Sequence, residues 1–221
     1  MRACAYFALA SLFVAGVALC KEALHPKIRS REAPIHRIVV LPVKVDISKQ
    51  GVKGAEGQGK EEEFSATEFT SAVSAALNAV GMQVQTPYSE ESLRDNNDLK
   101  YAIADVQTKF DQIAPQLFKR EKDVEKGRFS LGDTVAVLNA KGDADAFVFV
   151  RAAGTKQTKG KAFMTGGVLG MALSGAIVFR SHIAVVDAKS GDVLFMSDFL
   201  TRGVPKDSSL EKSFRKLVAG K

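Results

Sequence analysis

Apolar and polar residues change period several times along this chain, and each change marks an element. From Arg37 to Val45 the apolar positions run almost unbroken, which predicts a strand buried on both faces. Pro42 interrupts that run; with no N–H to give to a ladder, it marks a bulge or an edge-facing position. Ser48 to Glu63 reads as a glycine-rich, charged loop. Ser65-Ala66-Thr67-Glu68 then has the form of a capping box, and Phe69, Ala72, Val73, Ala76, Leu77 and Val80 follow at helical spacing until Gly81 stops the helix. Met82 to Gln85 alternates like a short strand. A second helix is predicted over Leu99 to Phe118, with Ile103, Val106, Phe110 and Ile113 on one face and a kink at Pro115. Ser130 to Asp133 can start a third helix carrying Val135, Val137 and Leu138.

The remaining third changes to a strand pattern. Ala146 to Val150 and Ala176 to Val186 are apolar strands, and Ala188-Lys189-Ser190-Gly191 is a tight turn into Val193-Leu194-Phe195-Met196. A last helix opens with a second capping box, Ser208-Ser209-Leu210-Glu211, and buries Leu210, Phe214, Leu217 and Val218. Strand, helices, strand, hairpin and helix in that order predict an α/β fold: one mixed β-sheet flanked by helices, in a single domain over residues 37–221.

The first twenty residues follow different rules. Arg2 precedes an uncharged stretch from Ala3 to Leu19, which ends in Val17-Ala18-Leu19-Cys20. A basic start, a short apolar centre and a small-residue exit predict a bacterial export signal over residues 1–19. A cysteine at the exit adds cleavage before Cys20 and acylation of its thiol, palmitate included. The product is a lipoprotein anchored to the bacterial outer membrane and facing the periplasm. Lys21 and Glu22 do not resemble the aspartate-led signal that retains lipoproteins at the inner membrane. Leu19 is larger than the residue usual before such a cysteine. Cleavage after Gly16-Val17-Ala18, giving a soluble periplasmic protein, is one alternative. A retained signal-anchor is the other, although seventeen uncharged residues only reach the lower end of the ~17–25 that span a bilayer. Residues 20–36, polar and punctuated by His25-Pro26 and Ala33-Pro34, read as a tether.

Composition narrows the partners. The formal charge of +6 loses one unit with Arg2, and the basic residues are interleaved with acids, as in Lys119-Arg120-Glu121-Lys122-Asp123. That pattern is a solvated face; nucleic acid calls for a stripe of one sign with stacking aromatics. Cys4 lies in the signal, so an acylated Cys20 leaves no thiol for a disulfide.

No stretch carries an enzyme's constellation. Gly54-Ala55-Glu56-Gly57-Gln58-Gly59-Lys60 has phosphate-loop spacing. However, Glu61 stands where the hydroxyl should be, followed by Glu62 and Glu63, and three carboxylates would repel a nucleotide triphosphate, so a flexible loop is expected and no nucleotide. Asp187 could imitate an aspartate that follows a strand in such proteins, but it heads a hairpin turn, a common use of Asp. His25 and His36 flank the tether, and His182 within a strand reads as a partnered structural histidine. Asp143 and Asp145 read as a loop before a strand in preference to a metal site. No cofactor, no metal ligand set and no catalytic residue is assigned, and the chain is expected not to be an enzyme.

One further stretch stands out. Ala162 to Phe179 carries no charge, and as a helix its eighteen residues would reach about 27 Å, short of the ~30 Å hydrocarbon core. Gly166, Gly167, Gly170 and Gly175 weaken a helix and suit a hairpin packed closely on another surface. A buried or partner-facing hairpin is the first reading, with a membrane-inserting hairpin and a transmembrane helix behind it. Within it Leu169, Met171 and Leu173 are the candidate partner-binding residues.

The strand from Arg37, the helix after Ser65, the strand Ala144 to Val150 and the closing Val185-Val186-Asp187-Ala188-Lys189-Ser190-Gly191-Asp192-Val193-Leu194-Phe195 together form a known pattern. It resembles bacterial periplasmic lipoproteins related to the curli-secretion lipoprotein CsgG, the penicillin-binding-protein activator LpoB and the amino-terminal domain of TolB. The resemblance implies a non-enzymatic protein with an α/β fold like that of anticodon-binding domains. Such a protein acts by binding another envelope protein or by self-association. An oligomeric outer-membrane secretion-channel subunit is the alternative it implies.

Overall fold

The most continuously apolar strands of the chain lie in the middle of one sheet. The computed structural model describes residues 20–51, 54–57, 59–85, 96–139, 142–157 and 175–220. In chain order its elements are β1 (Cys20–Leu24), α1 (Pro26–Arg29), β2 (Arg37–Val40), β3 (Lys44–Gly51), β4 (Gly54–Gly57), α2 (Gly59–Ala79) and β5 (Gln83–Gln85). Then follow α3 (Asn97–Ile113), a 3₁₀ segment (Ala114–Lys119), α4 (Glu121–Glu125), α5 (Thr134–Val137), β6 (Ala146–Gln157), β7 (Ile177–Asp187), β8 (Val193–Arg202) and α6 (Asp207–Ala219).

The eight strands form one mixed sheet, the α/β class expected from the sequence. β6 is central, antiparallel to β7 on one side and parallel to β2 and β3 on the other. β8 and then β1 continue the sheet beyond β7, while β5 and β4 close the opposite edge. β2 and β3 follow one line along β6. Between them, the four steps from Val40 to Lys44 span only three on β6, Val148 to Arg151, so an extra residue is accommodated around Pro42. This is the bulge expected of a proline that cannot donate.

Alternation along the strands divides two cores. Ile38, Val40, Val148, Val150, Ile183 and Val185 face α2 and α6, meeting Phe69, Val73, Leu77, Leu210, Phe214 and Leu217. Val39, Leu41, Phe147, Phe149, Ala184 and Val186 face the other way, onto Ile103, Val106 and Phe110 of α3 and onto Leu117, Val124, Val135 and Leu138. The apolar run at residues 38–41 is therefore buried on both faces, as its continuity requires.

Several sequence expectations need correction. Residues 20–36 are not a tether: β1 pairs with β8, and Ala23, Leu24 and Ile28 are buried. A five-residue strand with two charges shows no period of its own and exists because β8 supplies its ladder. The described residues of the range 48–63 are not a loop: they form the β3–β4 pairing and the first turn of α2, which begins at Gly59. Ser65 is buried inside α2 and does not cap it. The run Lys119 to Asp123 does lie at the surface, while the next residue, Val124 of α4, is fully buried. Pro115 ends α3 instead of kinking it, and the chain continues as 3₁₀. Thr134–Val137 is a single turn with Val137 half exposed, and Val218 of α6 also faces solvent. Lys206, not Ser208, precedes α6 as its N-cap.

Candidate functional site

β1 places the expected lipidation residue. Cys20 stands opposite Phe199 and Lys21 opposite Asp198, so Cys20 belongs to the sheet edge itself. The strand is held from three directions. Glu22 accepts a hydrogen bond from Ser213 Oγ and pairs with Lys216, both on α6. The His25 N–H donates to the Leu194 carbonyl at 2.9 Å. Lys27 pairs with Asp192 at 2.8 Å. His25 itself caps α1, its Nδ1 accepting from the Lys27 N–H at 3.1 Å. Nε2 therefore carries the ring hydrogen, and it is buried with no hydrogen-bond partner among the described residues. Gly127 backs onto it, where a Cβ would lie 2.8 Å from Nε2.

Beyond the cores, where β6 and β7 run toward Gln157 and Ile177, one sheet face becomes charged. Arg180 donates to both Asp198 oxygens, at 3.3 and 2.7 Å, in a fork geometry. His182 lies directly opposite Asp198 on the neighbouring strand, Nδ1 to Oδ1 3.4 Å, an electrostatic contact outside hydrogen-bond geometry. Arg151 bridges Asp46 and Asp111, and Lys44 also reaches Asp111 at 2.7 Å, which ties α3 to the sheet. Simple counting outward from the Asp187–Gly191 turn would pair His182 with Ser197. The register shift beside Val185 and Val186 moves the pairing by one residue and brings His182 to Asp198. That offset hid the cluster from sequence reasoning.

Both buried histidines are held below their ordinary pKa by loss of solvent, which disfavours the imidazolium. For His25, Asp192 and Asp187 oppose this and Lys27 assists it. For His182, Asp198 opposes it while Arg180 and Arg151 assist. A depressed histidine pKa means that the unfolded chain binds the proton first. The stability contributed is complete above the unfolded value near 6.5 and falls as pH drops below it. Thermal melts from pH 7 to 5 are expected to show a falling midpoint. A His25→Asn, His182→Gln double variant, in which asparagine keeps the cap, is expected to flatten that slope. An unchanged slope would refute the assignment.

The other sequence candidates are dispersed. Leu169, Met171 and Leu173 lie outside the described residues. Of the phosphate-loop mimic, Gly54–Gly57 is a strand and Gly59 and Lys60 open α2. Glu61 there pairs with Lys156, and the Glu62 carboxylate accepts from the Ile47 N–H at 2.7 Å, so these acids dock the helix on β3 and β6. Asp145 accepts from the N–H groups of His36 and Arg37 at 3.0 and 2.8 Å and pairs with the Arg37 guanidinium, fixing the start of β2. These bonds hold its carboxyl below the usual range despite partial burial. Asp187 Oδ1 accepts from the N–H groups of Lys189 and Ser190, the hairpin role expected of it. Among the described residues no group of three or more His, Cys, Asp or Glu side chains could hold a metal, and no helix is long and apolar enough to cross a membrane. An open groove of about 340 Å³ runs between Ile28, Ile35, Met82 and Leu217.

No protein-family model matches the chain, and no curated protein matches it in sequence. Among solved structures, a PelC dodecamer from Paraburkholderia phytofirmans is similar with a TM-score of 0.37 at 10% identity, over 92% of this chain and 96% of that one. A single-residue variant of the same dodecamer, in another crystal form, gives 0.35 at 10% identity over the same shares.

Proposed function

We propose that this protein is a non-enzymatic cell-envelope lipoprotein, anchored through Cys20 to the outer membrane, whose α/β domain binds or assembles with another envelope protein. The observation that carries this reading is the grammar of residues 2–20: one arginine, an uncharged run and a cysteine at its exit. Cleavage before Cys20 would leave all eight strands formed by the described residues in place, β1 (Cys20–Leu24) included. The test is Cys20→Ala. Membrane retention is expected to be lost, with the protein recovered in the soluble fraction; an unchanged membrane fraction would refute the anchor.

The docking segment proposed on sequence grounds is Gly166 to Leu173, too apolar to lie on a wet surface without a covering partner. Replacing Leu169 and Leu173 by Ser is expected to leave the thermal midpoint nearly unchanged while partner capture or self-association falls. If the run is core instead, the two changes should together destabilise by several kcal/mol, about 2–5 for each buried leucine truncated. A large fall in the midpoint would therefore sink the docking proposal.

A further inference from the structure

A lipid on Cys20 would be attached to the sheet with no spacer, and the register then dictates which surface meets the bilayer. Cys20, Phe199, Ser181, Ala152 and Val45 stand in one row across the sheet. The strands do not stop there. β8 continues to Arg202, β7 starts at Ile177 and β3 and β6 pair as far as Gln50 and Gln157. At about 3.3 Å per residue, these ends project roughly 10–17 Å beyond the anchor row. They project in the direction from which the chain enters β1. A bilayer that receives the acyl chains of Cys20 must lie within a few bond lengths of that residue, so this end of the sheet cannot stand clear of it.

The chemistry of the end suits that position. Leu200 and Val178 are 44% and 40% exposed, and they share a face with Arg202 and Lys21, both also at the surface. The nearest carboxylates on that face, Asp46 and Asp198, are each held by an arginine, Arg151 and Arg180. Apolar side chains beside basic ones, with the acids neutralised, match the boundary between acyl chains and anionic headgroups.

We infer that the sheet end formed by Lys21, Val178, Leu200 and Arg202 rests on the membrane surface and contacts anionic lipid headgroups. This rests on the lipid anchor proposed above. The probe is a single introduced cysteine carrying an environment-sensitive fluorophore on the full acylated chain. It is reconstituted into vesicles of phosphatidylethanolamine and phosphatidylglycerol that contain a nitroxide-headgroup lipid. Leu200→Cys reports the proposed face. Val178→Cys repeats the measurement should the first variant melt early, and Val137→Cys, half exposed on α5 near the opposite end, is the control. Loss of emission is expected at Leu200 and Val178 and not at Val137. If the protein floats with the vesicles while Leu200 and Val178 stay unquenched, or all three are quenched alike, the orientation is overturned and the anchor stands. If the protein does not float, or Cys20 itself takes the label, the anchor fails and the orientation with it.

Discussion

Phe149→Ala is expected to lower folding stability by about 3–5 kcal/mol. Phe149 lies on the central strand, 1% exposed, with its ring 5.2 Å from that of Phe110 on α3. Truncation removes that contact and leaves a void that neither neighbour can fill. Val148 and Val150 face the other core, and Phe110 is fixed by its own helix. Against a typical total of about 5–15 kcal/mol the loss is a large fraction. Urea melts should show a lower midpoint with an unchanged slope. Tyr101→Ala, at a 73% exposed position of α3, is the control and should stay within about 0.5 kcal/mol of the parent. Equal losses for the two variants would contradict the placement of α3 on this face.

The second large effect is expected at Gly191. Its φ is +71°, and an added Cβ would lie 2.3 Å from the carbonyl oxygen of Gly132 and 3.0 Å from its carbon. Backbone cannot rotate out of the way as a side-chain tip can. The contact matters because the Leu131 N–H donates to the Gly191 carbonyl at 2.8 Å, seating the β7–β8 turn on the loop before α5. Gly191→Ala therefore combines left-handed strain with a backbone clash, on the order of 2–5 kcal/mol together. Gly203→Ala separates the two: its φ is +67° with nothing within 4 Å of the added carbon. A clearly smaller loss at Gly203 is expected. Similar losses at both would leave left-handed strain as the whole effect and remove the clash.

The two variants also mark what could be read from the chain. The turn at 188–191 was legible because Asp187 and Gly191 act locally, the carboxylate on the next N–H groups and the glycine on its own φ. That Gly132 fills the space beside Gly191 was not legible, since 59 residues separate them in sequence. The expected loop before α2 failed for the same reason. The charges of Glu61 and Glu62 were visible as a repulsion toward phosphate, but their partners, Lys156 and the Ile47 amide, come from other strands. The seat of Cys20 on the sheet edge was not legible either, because Phe199 lies far along the chain.

Local chemistry by itself determined most of the elements from Phe69 onward, the central strands with their continuous apolar runs, the proline bulge and the turn at Asp187. Each depends on residues within a few positions of one another, where hydrophobic period and backbone preference act without a partner. Only the tertiary structure decided that residues 20–24 are a strand, that α2 starts six residues before its apparent cap, and that His182 meets Asp198. Those depend on ladders and ion pairs between distant segments, Cys20 with Phe199 and Glu22 with Ser213 and Lys216 among them. A charged pentapeptide has too few apolar residues to impose a period, so the neighbour that completes its hydrogen bonds determines its conformation.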